Sequence, residues 1–274
     1  MTDSTQRIDA IIMAAGKGTR MGGDLPKVLY EVAGKPMVWW VVKACKEAGA
    51  KRCVLVIGYK GDLVREALAG EEGVEFVEQT EQLGTAHAVQ MAEPAFEGKP
   101  IGDIFVLAGD GPLIRAHTLG RLVEVHRRTG AAATMASSVI DDPTGYGRIV
   151  RDGQGQFDCI VEQKDATAEQ VTIQEVNPSY YCFDGQKLFK TIDQIGANNA
   201  QGEYYITDAP GLLKASGQIV TVVDAVPPED VLSINNPDQL ATVDLILRDR
   251  LGMQTPGMTP ETAPGIETGN GDSA

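Results

Sequence analysis

The sequence predicts an α/β fold: a mostly parallel sheet with helices on both faces, followed by a β-rich subregion. Three observations carry that prediction. Short apolar runs alternate with amphipathic stretches through the first half of the 274 residues, a glycine-rich loop directly follows the first run, and after about residue 140 the rhythm changes to short β-rich segments with glycine turns. Alternation of this kind implies parallel strands joined by right-handed crossovers, and such sheets bind ligands at the carboxyl ends of their strands.

Taken in order, Ile8 to Ala14, Cys53 to Ile57, Val74 to Val77 and Ile104 to Leu107 read as strands, being short and predominantly apolar. Between them, Pro36 to Gly49 reads as a helix. Val38, Val41, Val42 and Cys45 share one face, Pro36 suits the first turn, and Gly49 suits the C-terminal cap. Helices over Asp62 to Ala69, Thr85 to Ala92 and Thr118 to Arg128 complete the alternation. The β-rich part contributes Tyr146 to Val150, Phe157 to Val161 and Thr172 to Phe183, with Gly153 and Gly155 as turn residues. Helices return over Tyr204 to Ser216 and Pro237 to Leu251, separated by a strand at Ile219 to Val226. This organisation predicts a single domain over residues 1–252, with a ligand-binding half to about residue 140 and a second half over 141–252. Residues 253–274 hold three Pro, four Gly, four Thr and no Leu, Val or aromatic residue, and are expected to form a disordered tail.

Composition excludes several functions. Acidic side chains outnumber basic ones by 38 to 24, a formal charge of −14, so neither nucleic acid nor an anionic membrane surface is an expected partner. No apolar run approaches the ~20 residues a spanning helix needs, and the polar start Met1-Thr-Asp-Ser-Thr-Gln-Arg7 lacks a signal-peptide core, so a cytoplasmic location is expected. Cys45, Cys53, Cys159 and Cys182 show no metal-binding spacing with His87, His117 and His126. The cysteines read as reduced thiols, Cys45 and Cys53 in the core, and the histidines as structural or surface residues. The sequence carries no signal for oligomeric state.

The strongest chemical signal is Ala14-Ala-Gly-Lys-Gly-Thr-Arg-Met-Gly-Gly-Asp-Leu-Pro-Lys27. Its glycines allow close backbone approach, so successive N–H groups can converge on phosphate oxygens, while Arg20 adds a bidentate fork and Lys27 a mobile point charge. Two familiar phosphate motifs are absent. A dinucleotide fingerprint beginning at Gly16 needs glycine at Met21, and a Walker A motif ending at Lys17 needs glycine at Ile11 and Ser or Thr at Gly18.

Together with Pro26-Lys27, the run Met13 to Met21 resembles the signature of sugar-1-phosphate nucleotidyltransferases. An ordered set narrows the resemblance: Gln79-Thr-Glu-Gln-Leu-Gly-Thr85, Asp141-Asp-Pro-Thr-Gly-Tyr-Gly-Arg148, Val161-Glu-Gln-Lys-Asp-Ala166, Gln174-Glu-Val-Asn177, Asn199-Ala-Gln-Gly-Glu-Tyr-Tyr-Ile-Thr-Asp208 and Ile234-Asn-Asn236. These segments look like the uridyltransferase half of bacterial bifunctional N-acetylglucosamine-1-phosphate uridyltransferases, from about residue 8 to 250. The resemblance implies a Rossmann-like nucleotide-diphospho-sugar transferase fold. It also implies transfer of uridylyl from UTP to N-acetylglucosamine 1-phosphate, with release of pyrophosphate by in-line attack and no covalent enzyme intermediate.

Residue by residue, the resemblance implies that Arg20 and Lys27 neutralise the triphosphate. Ala14, Ala15, Gly16, Gly18 and Thr19 would line the nucleotide pocket, with Gly109 beside them. Gln79 would read the uracil edge through an amide carrying both donor and acceptor, with Gly84 and Thr85 completing that wall. Asp110 and Asn235 would hold Mg²⁺, a hard cation suited to oxygen ligands. Gly147, Glu162, Asn177, Tyr205 and Thr207 would contact the sugar.

The chain also departs from the family pattern. It has Ala108 where many relatives carry a larger residue, Gly111 where Val or Thr is common, and Pro178-Ser179 after Asn177 where Thr-Gly is usual. No hexapeptide period is present, so the acetyl-transferring β-helix of the bifunctional relatives is not expected. Two alternatives stand beside the leading reading: the same chemistry on another sugar phosphate or triphosphate, and a non-catalytic nucleotide-sugar sensor or regulatory subunit.

Overall fold

A computed structural model of the chain describes residues 7–18, 21–232 and 234–253. The strand β1 (Ile8–Ala14) lies between two parallel neighbours, β4 (Cys53–Ile57) and β6 (Asp103–Ala108), and β5 (Val74–Glu78) continues beyond β4. Because β1 is buried on both faces, its alternate side chains feed two different cores. Ile8, Ala10, Ile12 and Ala14 join Leu55, Ile57, Phe105 and Leu107 on one face. Ile11 joins Val54, Val56, Ile104 and Val106 on the other.

Helices cover both faces, as the alternation requires. The first face receives Val38, Val41, Val42 and Cys45 of α1 (Met37–Glu47), Val64 of α2 (Gly61–Ala67), and Leu119 and Leu122 of α4 (Ala116–Thr129). The second face receives Ala88 and Val89 of α3 (Thr85–Met91), Leu188 and Ile192 of α5 (Gly185–Ile192), and Leu213 of α6 (Asp208–Ala215). Pro36 does not open α1 as expected. It pairs instead with Glu31 in a hairpin of β2 (Glu31–Val32) and β3 (Lys35–Pro36), and the helix begins one residue later.

Past β6 the sheet changes character. An antiparallel strand, β11 (Tyr180–Asp184), separates β6 from β7 (Ala133–Val139), and β12 (Val220–Asp224) runs parallel to β7 on its far side. The antiparallel strands β10 (Glu175–Asn177), β8 (Gly147–Arg151) and β9 (Phe157–Val161) extend from β7. Among the described residues the result is a mixed, mostly parallel central sheet with an antiparallel extension.

The expected single strand Thr172 to Phe183 is interrupted. Gln170–Thr172 forms a 3₁₀ turn, and Pro178-Ser179 bulges out between β10 and β11, with Ser179 in the left-handed region at φ 63°. Proline offers no ladder donor, so the pairing breaks there. Both pieces nevertheless pair with the same strand, β7.

The final helix α7 (Pro237–Arg250) starts at Asn236, whose side chain accepts the Gln239 N–H at 2.8 Å. It packs Val243 and Leu247 in a third core with Met21, Val32, Met37, Leu113 and Ile234. This core ties together the loops that follow β1 and β6. A buried carboxylate reinforces the tie. Asp230 is bonded to Arg115 at the start of α4 and to Arg250 of α7, and Arg250 also donates to the Leu113 carbonyl at 2.9 Å. Asp230→Ala is expected to cost about 2–3 kcal/mol, the scale of hydrogen bonds to charged groups. Thermal melts of the two proteins check it.

The cysteines are free thiols, with Cys45 and Cys53 fully buried. No helix among the described residues is long and apolar enough to cross a membrane. Of the expected tail, only Met253 lies among the described residues.

Candidate active site

Three parallel strands end at one place. The chain after β1 (Ala15, Gly16, Gly18), after β5 (Gln79) and after β6 (Asp110) lines a cavity of about 270 Å³, together with Lys27, Val28, Gln82, Gly84, Thr85, Ala88, Ala108 and Glu203. Carboxyl-end placement is where an open α/β sheet binds ligands.

The glycine-rich loop is held from both sides. Gln82 donates through Nε2 to the Ala15 carbonyl at 2.9 Å, and the same carbonyl accepts the Tyr59 N–H at 3.2 Å. Gly18, at φ +66°, runs directly under Lys27: a Cβ at Gly18 would lie 2.5 Å from the Lys27 Cβ. Lys27 itself stands on a 3₁₀ turn, Lys27–Leu29, pinned by the buried side chains of Val28 and Leu29. Thr19 and Arg20 lie outside the described residues.

Lys27 Nζ bonds to Asp110 Oδ2 at 2.6 Å, both groups being partly exposed to the cavity. The cation expected on the triphosphate and the carboxylate expected on the metal therefore meet at one point. Gly109, just before Asp110, does not line the cavity. Its N–H donates to the Met13 carbonyl at 2.9 Å, and a Cβ would approach that oxygen to 3.0 Å, so glycine here lets the strand end pack tightly. Asn235 sits just before α7, where its N–H donates to Gln239 Oε1 at 2.7 Å. The adjacent Ile234 packs with Leu113 of the Asp110 loop.

On the opposite wall Gln79 is 5% exposed. Its Nε2 donates to the Gly84 carbonyl at 3.1 Å and lies 3.0 Å from His87 Nδ1. Gly84 is at φ +117°, and a Cβ there would fall 2.5 Å from the Tyr204 carbonyl oxygen. Gly84→Ala is expected to destabilise the protein by about 2 kcal/mol through backbone strain and collision, read as a lower Tm. Thr85 Oγ1 accepts the Ile206 N–H at 2.9 Å, which fastens this wall to the segment carrying Tyr205 and Thr207.

The expected sugar contacts gather on the antiparallel extension. Gly147 and Asn177 are direct partners across β8 and β10, and Glu162 follows the neighbouring strand β9. Thr207 donates its hydroxyl to Glu162 Oε1 at 3.0 Å. Glu162 and Tyr205 line a second cavity of about 390 Å³ with Asp165, Asn198, Asn199 and Asp208. Asn177 is buried and engaged: Nδ2 donates to the Tyr181 hydroxyl at 2.6 Å, and Oδ1 accepts the Ser179 N–H at 3.1 Å. The Pro178-Ser179 departure thus bears directly on Asn177.

Burial raises the Glu162 carboxyl above the usual carboxylate range, and the Thr207 hydroxyl opposes this more weakly. The folded chain therefore keeps a proton on Glu162 to higher pH than the unfolded chain, and this group's contribution to stability falls as pH rises through that window. Glu162→Gln removes the slope and is expected to raise Tm modestly at neutral pH. Melts across pH 4 to 8 check the sign, about the interval in which a raised carboxyl titrates.

Met13, Val28, Gln82, Ala88 and Glu203 line the cavity without having been expected there, whereas Ala108, a departure from the family pattern that could widen the nucleotide pocket, does line it. Gln82 and Glu203 stood inside quoted motifs, so their position was available as a signal. Val28 and Ala88 carry no chemical signature.

The fold and the cavity define an α/β domain with a glycine-rich loop, a lysine and a carboxylate gathered at its parallel strand ends. The chain belongs to the MobA-like NTP transferase domain family, whose model matches residues 10–175. It is 45% identical over 245 residues, 89% of this chain, to the bifunctional protein GlmU of Geobacter metallireducens, and covers 51% of that protein. It is 46% identical over 244 residues to the GlmU of Syntrophomonas wolfei, of which it covers 54%, and 45% identical over 245 residues to that of Streptococcus gordonii, of which it covers 53%. The chain thus spans about half the length of the curated relatives it matches.

Proposed function

We propose that the protein transfers uridylyl from UTP to N-acetylglucosamine 1-phosphate, giving UDP-N-acetylglucosamine and pyrophosphate, as a cytoplasmic enzyme acting on small molecules. The single observation that carries this reading is the convergence of Lys27, Asp110, Gln79 and the Ala14–Gly18 loop on one cavity. Residues 1–252 act as one nucleotidyltransferase domain, its first half binding nucleotide and its second binding sugar.

The reaction needs positioning and charge neutralisation more than a nucleophilic side chain. A phosphate oxygen of the sugar phosphate attacks the α-phosphorus of UTP in line. The bond from that phosphorus to the bridging oxygen breaks, and pyrophosphate leaves with the electron pair. Lys27 Nζ, already beside Asp110, neutralises the β- and γ-phosphates, with Arg20 assigned the same duty on the resemblance alone. Loop amides from Ala15 to Gly18 hold phosphate oxygens. Gln79 orients the base, and Gly147, Glu162, Asn177, Tyr205 and Thr207 orient the sugar.

The donor set fits a hard divalent cation. Asp110 offers a carboxylate at the cavity edge and Asn235 a side-chain oxygen next to the packed Ile234. These two residues would hold Mg²⁺, which when bound supplies charge neutralisation on the leaving pyrophosphate.

Specificity follows from the sugar side. A pocket built around an acetamido group leaves polar atoms unpaired when glucose binds, so N-acetylglucosamine 1-phosphate is expected to be preferred over glucose 1-phosphate; a preference for UTP over dTTP is expected on the family resemblance. A steady-state panel of sugar phosphates and triphosphates tests this. Equal or better kcat/KM with glucose 1-phosphate would remove the N-acetyl assignment and leave the nucleotidyl transfer standing.

A further inference from the structure

His87 is the third residue of α3, half-buried, and is not among the residues that line the cavity. Its Nδ1 is nevertheless 3.0 Å from Nε2 of Gln79, the buried side chain on the cavity wall. The orientation of that amide is set by a group that can only accept. The Gly84 carbonyl oxygen lies 3.1 Å from the same Gln79 atom, so the NH₂ end must face it. One amide hydrogen goes to Gly84. The other points at His87 Nδ1, which must then carry a lone pair, leaving the ring proton on Nε2.

The consequence changes what Gln79 can offer. An amide has two hydrogens and one carbonyl oxygen, and both hydrogens are taken by the protein. Only Oε1 is left to meet a base. The expectation that Gln79 supplies both a donor and an acceptor is therefore not met in this arrangement.

We propose that His87 is a specificity-determining positioning residue: by accepting the second Gln79 amide hydrogen, it makes the cavity wall an acceptor that selects pyrimidines with a ring N3–H. Uracil and thymine present that donor. Cytosine presents a bare ring nitrogen, which sets lone pair against lone pair. Without His87, the second amide hydrogen becomes available and Gln79 can rotate to serve cytosine. The inference rests on the assignment of the cavity to UTP, and it adds a residue outside the cavity as the origin of base choice.

The test compares kcat/KM for UTP and CTP, by pyrophosphate release with N-acetylglucosamine 1-phosphate, in wild type, His87→Leu and His87→Asn. Leucine suits a helix and removes the acceptor. Asparagine returns an acceptor, Oδ1, at the reach of a histidine Nδ1. The UTP:CTP ratio is expected to fall about tenfold in His87→Leu, the scale of one misplaced hydrogen bond. The change should lie mainly in KM, and His87→Asn should recover most of the ratio. A ratio in His87→Leu within about twofold of wild type, well under one hydrogen bond, would overturn the inference. So would equal relaxation in both variants. A measurement on the wild type removes dependence on the variants' folding: ¹⁵N shifts of the His87 ring should mark Nδ1 as the unprotonated nitrogen, and a proton on Nδ1 would overturn the proposal. A wild type without preference for UTP over CTP would instead remove the base assignment itself, and this inference with it.

Discussion

Asp110→Ala is expected to lower kcat for pyrophosphate release by roughly 10²–10³, the loss seen when one preorganised electrostatic group is removed. The carboxylate is the one acidic side chain that the β6 strand end delivers to the cavity, and Lys27 holds it at 2.6 Å. Two effects combine in the substitution. On the proposed role a bound cation would lose an oxygen ligand, and Lys27 loses the carboxylate to which its ammonium is bonded. Mn²⁺ titration in the presence of UTP should show weakened metal affinity alongside the lost turnover. Retention of tight metal binding would move Asp110 from metal ligand to lysine anchor.

Lys27→Ala carries the second large effect, about 3 kcal/mol of transition-state stabilisation by the same reasoning. If Lys27 acts on charge that grows during the displacement, kcat and kcat/KM fall together; if it only helps bind UTP, KM rises and kcat stands. Steady-state kinetics with UTP as the varied substrate separate the two. The double variant with Asp110→Ala should lose far less than the product of the single losses, because the residues are in direct contact and act as a unit.

Much of this architecture was legible in the chain. β1, β4 and β9 fall at the expected residues, because each is a short, mostly apolar run followed by glycine or polar residues. Helices α1 to α4 were readable because apolar side chains repeat with the helical period. β7 escaped because four of the seven residues of Ala133-Thr-Met-Ala-Ser-Ser-Val139 are Ala or Ser, which give no apolar run and no clear alternation. Its first six residues are buried, so sheet pairing rather than local propensity makes it a strand. α5 escaped although Asp184 was a readable N-cap, its side chain accepting the N–H groups of Gln186 and Lys187.

The site was legible in a different way. Ala14 to Gly18, Lys27, Gln79, Gly84, Thr85 and Asp110 do converge, because motifs at strand ends of a parallel sheet must share one edge. What the sequence does not carry is orientation. Nothing in it indicates that Lys27 rests on Asp110, that Asn177 is engaged by Tyr181 and Ser179, or that His87 and Gly84 take both hydrogens of the Gln79 amide. These depend on where a side chain points once its neighbours are packed, and an expectation of a structural or surface role for His87 was the natural reading of an isolated helical histidine.

The most direct measurement of the central claim is pyrophosphate release from UTP by the purified chain with Mg²⁺, with and without N-acetylglucosamine 1-phosphate. Uridylyl transfer requires release that depends on the sugar phosphate, with UDP-N-acetylglucosamine formed in equal amount. Absence of release under both conditions, or release that proceeds equally without the sugar phosphate, would contradict it.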